Sequence, residues 1–141
     1  HPRILDLVLA SKLESVLGVG DYELKTGEEI AVQGAGGVVT GIKKGIPKSD
    51  SVAGHSIGIN RWSPELLSKL YPFMERFFAS KGNNHNWEPV FDEFIRSEGA
   101  GLCHYEDCGS LPWVNINREA DYRKAQERLY DLIYPGGTLC R

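Results

Sequence analysis

Asn115 and Asn117 close the extended run Leu111-Pro-Trp-Val-Asn-Ile-Asn117, just before a segment with helical spacing. The pattern reads as a short strand that stops at a polar pair and turns into a helix. Asn117 stands where an N-cap belongs, and Glu119 and Asp121 load the first turn with negative charge, as the helix dipole favours. Such a strand end lies at a carboxyl edge, where open α/β sheets bind their ligands. Trp87-Glu88, together with Trp113, offers aromatic faces and a carboxylate, the groups that hold an amine or choline head. The plainer alternative puts Trp87 in a core stripe with positions 91, 94 and 95 and gives Glu88 to the helix N-terminus. Lys43 and Lys44 end an apolar run, and alternation along a strand turns one of them inward. His55-Ser56 is not a catalytic pair, because neighbours on a strand point to opposite faces. Cys103-His-Tyr-Glu-Asp-Cys108 presents metal-binding types, but one such pair is half a zinc site, and free thiols fit better. Asp92 and Glu93 read as a solvated helix face.

The elements that must position these residues alternate along the chain. Residues 2–14 read as a helix, with Pro2 in its first turn and Leu5, Val8, Leu9 and Leu13 on one face. Residues 15–19 read as a strand. Residues 28–33 and 37–43 form a hairpin around Gly34-Ala-Gly-Gly37, and residues 53–61 form a further strand. Ser63 caps a helix with Pro64 at its first position. That helix carries the stripe Leu66, Leu70, Phe73, Phe77 and a second stripe, Leu67, Tyr71, Met74, Phe78. Pro72 is expected to kink or break it. Asn86 can cap a helix from Trp87 to Ile95. Residues 101–106 and 112–116 read as short strands. Residues 118–133 read as the last helix, with Tyr122, Ala125, Leu129, Leu132 and Ile133 at helical spacing. Alternation of this kind predicts an α/β fold, and the hairpin predicts a mixed sheet.

The segment from Leu111 to Ala125 resembles the closing motif of nucleotidyltransferases that activate small phosphorylated compounds with CTP or UTP. Glu28-Glu-Ile-Ala-Val-Gln33, the run Gly37 to Lys44, and Ala53-Gly-His-Ser-Ile-Gly-Ile-Asn-Arg-Trp-Ser63 are similar to that family's other segments, in the same order. The likeness spans roughly residues 1–133. It implies the C-terminal half of a mixed-sheet, Rossmann-like nucleotidyltransferase fold, with residues 1–134 as the acceptor-binding half and 135–141, including Cys140, as a tail. It implies transfer of a nucleotidyl group, most simply cytidylyl from CTP, to a phosphorylated or phosphonylated alcohol or amine, with Mg2+ as cofactor. By the same likeness Asn117, then Asn115, would bind the metal. Lys44, ahead of Lys43, would face the phosphates. Trp87, Glu88, His55 and Trp113 would bind the acceptor. Many relatives carry Asp where this chain has Asn117, and a cap alone remains the competing role for it.

The family opens with a strand, a glycine-rich loop and a helix that hold the triphosphate. This chain has one glycine cluster, Gly34-Ala-Gly-Gly37, between two strand-like runs and with no helix after it. A phosphate cradle needs the N–H groups of a helix N-terminus, so the cluster reads as a turn. The expectation is therefore a chain that lacks the NTP-binding loop, supplied as the second half of a longer enzyme and inactive by itself. A half-sheet would expose an edge, so homodimerisation is expected. A noncatalytic binding or dimerisation module with a degenerate site is the alternative, and a sugar-phosphate uridylyl or guanylyl transferase is a third.

Composition narrows the partners. The net charge of −3 gives no basic footprint for nucleic acid. No apolar run approaches the ~20 residues that span a membrane. The three cysteines, an odd number, fit a reducing, cytoplasmic setting better than a disulfide framework.

Overall fold

The computed structural model describes residues 1–22, 27–109, 111–129 and 132, without the side chains of Lys124, Arg128 and Leu129. The expected tail at 135–141, Ile133 and the Leu129 side chain lie outside the described residues.

Helix α1 (Pro2–Ala10) leads into β1 (Val16–Gly20). The hairpin β2 (Ile30–Ala35) and β3 (Val38–Lys44) follows, then the long strand β4 (Val52–Arg61). Two helices come next, α2 (Pro64–Lys81) and α3 (Trp87–Ser97), then β5 (His104–Asp107). The last element is α4 (Glu119–Lys124), which continues as a π-helical turn over Ala125–Leu129. The chain is mixed α/β. Among the described residues no helix is long and apolar enough to cross a membrane.

The five strands form one closed, barrel-like sheet in the order β1-β4-β2-β3-β5. β1 and β5 run parallel, and the other pairs are antiparallel. The sheet is mixed, as the hairpin predicts. Gly36 and Gly37 make the β2–β3 turn with φ of 58° and 85°. Two positive φ values are what a type I′ hairpin turn requires. Among the described residues the sheet closes on itself, so the open edge expected of a half-sheet is not seen. β5 lies between β1 and β3, joined to β3 at Val38↔His104, and further along β3 helix α3 packs against the strand. Homodimerisation therefore loses the bare strand that motivated it.

The main core cluster joins Leu17, Val32 and Ile42 of the sheet to Leu66, Phe73, Phe77, Phe91 and Phe94 of α2 and α3. Each fully buried side chain of this size stabilises the fold by about 1.5–3 kcal/mol. The stripe Leu66, Leu70, Phe73, Phe77 is buried as its spacing predicts, whereas Tyr71 of the second stripe is exposed. Pro72 does not break α2. It lies exposed on the outer face, where water can satisfy the carbonyl it leaves unpaired.

Three expectations are corrected. Helix α1 ends at Ala10 and buries Ile4 and Val8, while Leu5 and Leu9 are exposed and Leu13 lies just beyond it, exposed as well. Residues 112–116 pair with no strand. Tyr122 in the last helix is exposed rather than packed, and Leu132 is exposed as well.

Candidate functional site

A cleft of about 530 Å³ gathers Lys44 from the end of β3, His55 from β4, Glu88 from the first turn of α3, and Asn115 and Asn117 from the segment before α4. These come from four stretches far apart in sequence. The antiparallel registers explain part of this: Ile30 pairs with Lys44, and Ala31 pairs with His55. The residues just ahead of β2 therefore also reach the cleft. Glu28 and Glu29 line it, together with Arg118 and Asp121. Sequence reasoning missed those four, although the hairpin register places Glu28 and Glu29 beside the end of β3.

Asn117 is not the N-cap of α4. Helical residues start at Glu119 after Arg118. The Asp121 carboxylate reaches back and accepts the backbone N–H groups of Asn117 and Arg118 at 3.1 and 3.0 Å. This is the N3 half of a capping box. The Asn115 and Asn117 side chains are exposed along the cleft.

Lys44 pairs with Glu28. Its hydrogen bond to Glu28 raises its pKa, with a smaller contribution from Glu88. His55 is half-buried. Burial pushes its pKa below the ordinary 6.5, and Glu29 partly opposes that shift, so its neutral form prevails at neutral pH. Tyr22 lies behind it, with its hydroxyl donating to the Ile46 carbonyl at 2.5 Å. The Tyr22 pKa is raised by burial, and further by Glu29.

The remaining candidates lie outside the cleft lining. Lys43 lines a neighbouring groove of about 640 Å³. Trp87 stands against Phe91, ring centroids 5.6 Å apart, with 39% of its surface exposed. Trp113 packs behind His55 and joins the smaller core cluster of Ile4, Val8 and Cys108. The cage of Trp87, Glu88 and Trp113 is thus not assembled; Glu88 alone of the three reaches the cleft. Asp92 and Glu93 do not form a bare solvated face. Asp92 bonds a strand, and Glu93 pairs with Lys81.

The donors at the cleft are carboxylates and amide oxygens, hard ligands of the type Mg2+ takes, with His55 beside them. Among the described residues no group of three or more His, Cys, Asp or Glu side chains is placed to hold a metal ion. Asp121 is committed to its helix start and Glu28 to Lys44. A magnesium ion here would lean on Asn115, Asn117, water and the oxygens of a bound phosphate, which is within its habits. Cys103 and Cys108 are both buried free thiols in different core clusters, so they do not share a metal site. Burial pushes the Cys103 thiol up to about 12. No protein-family model matches the chain, and no curated protein matches it.

Proposed function

We propose that this chain is the acceptor-binding half of a Mg2+-dependent nucleotidyltransferase with a Rossmann-like parent fold. The observation that carries the reading is the convergence of Lys44, His55, Glu88, Asn115 and Asn117 on one cleft. In the reaction a phosphate or phosphonate oxygen of the acceptor attacks the α-phosphorus of CTP, and the bond to pyrophosphate breaks. The reactants are both anions, so approach and in-line alignment need positive charge. Lys44 and Arg118 supply it from the protein. They face four carboxylates, Glu28, Glu29, Glu88 and Asp121, so the cleft is acidic and would not take a bare dianion unaided.

Bound Mg2+ would supply the missing charge neutralisation, held by Asn117 and Asn115. The same acidic excess suits an acceptor with an ammonium or choline end, which Glu88 and Glu29 would face while its phosphoryl end lies toward Lys44. The NTP-binding loop would come from polypeptide outside these residues, since the glycine cluster of this chain is a hairpin turn.

Calorimetric titration of the chain with phosphocholine and with 2-aminoethylphosphonate, with and without Mg2+, tests this. Binding should require Mg2+ and be lost in Asn117→Ala, an exposed position where the fold is not at stake. Pyrophosphate should not be released from CTP by the chain alone. Acceptor binding indifferent to both Mg2+ and Asn117→Ala would sink the enzyme reading and leave a binding module.

A further inference from the structure

Asp92 Oδ1 accepts the backbone N–H of Ile42 on β3 at 2.8 Å. Both Asp92 oxygens also accept from Arg96 Nε at 3.0 Å, and Arg96 reaches on to Gln33 Oε1 of β2 at 2.7 Å. The approach depends on Gly41. A Cβ there would stand 2.3 Å from the Arg96 guanidinium and 2.8 Å from Asp92 Oδ1. One polar network therefore ties α3 to two adjacent strands.

Glu88 stands one helical turn before Asp92. Lys44 stands two residues beyond Ile42. Among the described residues these two, Glu88 and Lys44, line both the acidic cleft and the groove beside it. They belong to different elements; Lys44 is exposed and Glu88 partly so. Exposed charges on long side chains attract weakly and do not fix their own spacing. Core packing sets how far a helix stands from a sheet, but a directional bond sets where along the strand it stops. The ion pairs Lys81–Glu93 and Arg76–Glu98 tie α3 to α2, not to the sheet. The Asp92 side chain is 20% exposed, and its bond to the strand is charge-assisted, about twice as strong as a neutral one.

We propose that Asp92 is a positioning residue of the cleft: its bond to the Ile42 N–H fixes the spacing of Glu88 on α3 from Lys44 on β3. The functional meaning of that spacing rests on the acceptor-binding reading; the geometry does not.

Two variants separate positioning from charge. Asp92→Asn keeps an oxygen at the same reach and loses the charge. Asp92→Glu keeps the charge and the Arg96 partner but carries the carboxylate one methylene too far. The readout is the Lys44 amino group, titrated by NMR, with Glu88→Gln introduced into the wild-type, Asp92→Asn and Asp92→Glu backgrounds as a double-mutant cycle. Glu88→Gln should lower the Lys44 pKa in the wild-type and Asp92→Asn backgrounds and leave it unmoved in Asp92→Glu, with Glu28 unchanged throughout. Phosphocholine affinity with Mg2+ should fall about tenfold in Asp92→Glu, as for one displaced charge-assisted contact, and stay near wild type in Asp92→Asn. An equal effect of Glu88→Gln in all three backgrounds overturns the proposal, and so does loss of the effect in Asp92→Asn alone. If Asp92→Glu fails to fold, Asp92→Ser, whose hydroxyl is too short to reach the strand, takes its place with the same expectation. If the Lys44 pattern holds while the wild-type chain takes up no phosphocholine, the positioning role stands and the acceptor reading falls.

Discussion

The Trp113 indole meets the His55 imidazole edge-on, with ring centroids 4.9 Å apart and planes at 89°. Tyr22 meets the same imidazole at 6.1 Å and 71°. The histidine that lines the cleft is thus walled by two aromatic rings, and one of them rests on Gly20. A Cβ at Gly20 would lie 2.2 Å from Trp113 Nε1, closer than a rigid indole can accommodate in place. Gly20→Ala is therefore expected to destabilise the chain by about 1–3 kcal/mol, the usual cost of overpacking. Urea unfolding measures it. Because Trp113 is the clash partner, Trp113→Phe should relieve part of that cost, and the double variant should be more stable than the summed single effects predict. Strictly additive losses would mean that the indole is not what Gly20 makes room for.

The same enclosure gives His55 a pH signature. Burial lowers its folded-state pKa below the ordinary 6.5, while Glu29 pulls the other way. The unfolded chain then binds the proton first as pH falls. Stability from this site is complete above about pH 6.5 and is lost as pH drops through the folded-state pKa. The urea midpoint should fall between about pH 7.5 and about pH 5, and His55→Gln should flatten part of that slope. The variant comparison isolates His55 from the other histidines. An unchanged slope would show that His55 titrates alike in the folded and unfolded chain.

What the sequence disclosed and what it hid follow one physical line. The β2–β3 hairpin and α2 were legible because their determinants are local: two glycines at a turn, and an apolar stripe with period 3.6. The buried face of α1 is not legible in the sequence, because the helix carries two interleaved apolar stripes. Periodicity cannot choose between Leu5/Leu9 and Ile4/Val8; contact with β4 and β1 does. The start of α4 slipped by one residue because Asn117 and Asp121 can both satisfy free N–H groups, and the carboxylate prevailed. Asp92 looked like a solvated charge because its partner is a backbone N–H on a distant strand, which leaves no mark in the side-chain pattern. Convergence of Lys44, His55, Glu88 and Asn117 is likewise a product of register, which single segments do not carry.

Arg61 supplies the last test. Its guanidinium donates to the carbonyls of Leu9 and Ser11, at 2.5 and 2.8 Å, and to that of Leu13. It gathers the unpaired carbonyls at the C-terminal end of α1, where a cation also suits the helix dipole. The face held down by this clamp carries Ile4 and Val8, which cover Cys108, a thiol 1% exposed. Arg61→Ala should cost about 1–2 kcal/mol, discounted for the exposure of two of the three bonds. The more specific outcome concerns the thiols. Loosening α1 should speed the reaction of Cys108 with a thiol reagent under native conditions. Cys103, buried in the other core cluster, should react no faster than before, and Arg61→Lys, which keeps the charge and fewer donors, should fall between. Equal acceleration of both cysteines would mean that Arg61→Ala raises global unfolding, and an unchanged Cys108 rate would mean that α1 is held by its apolar face alone.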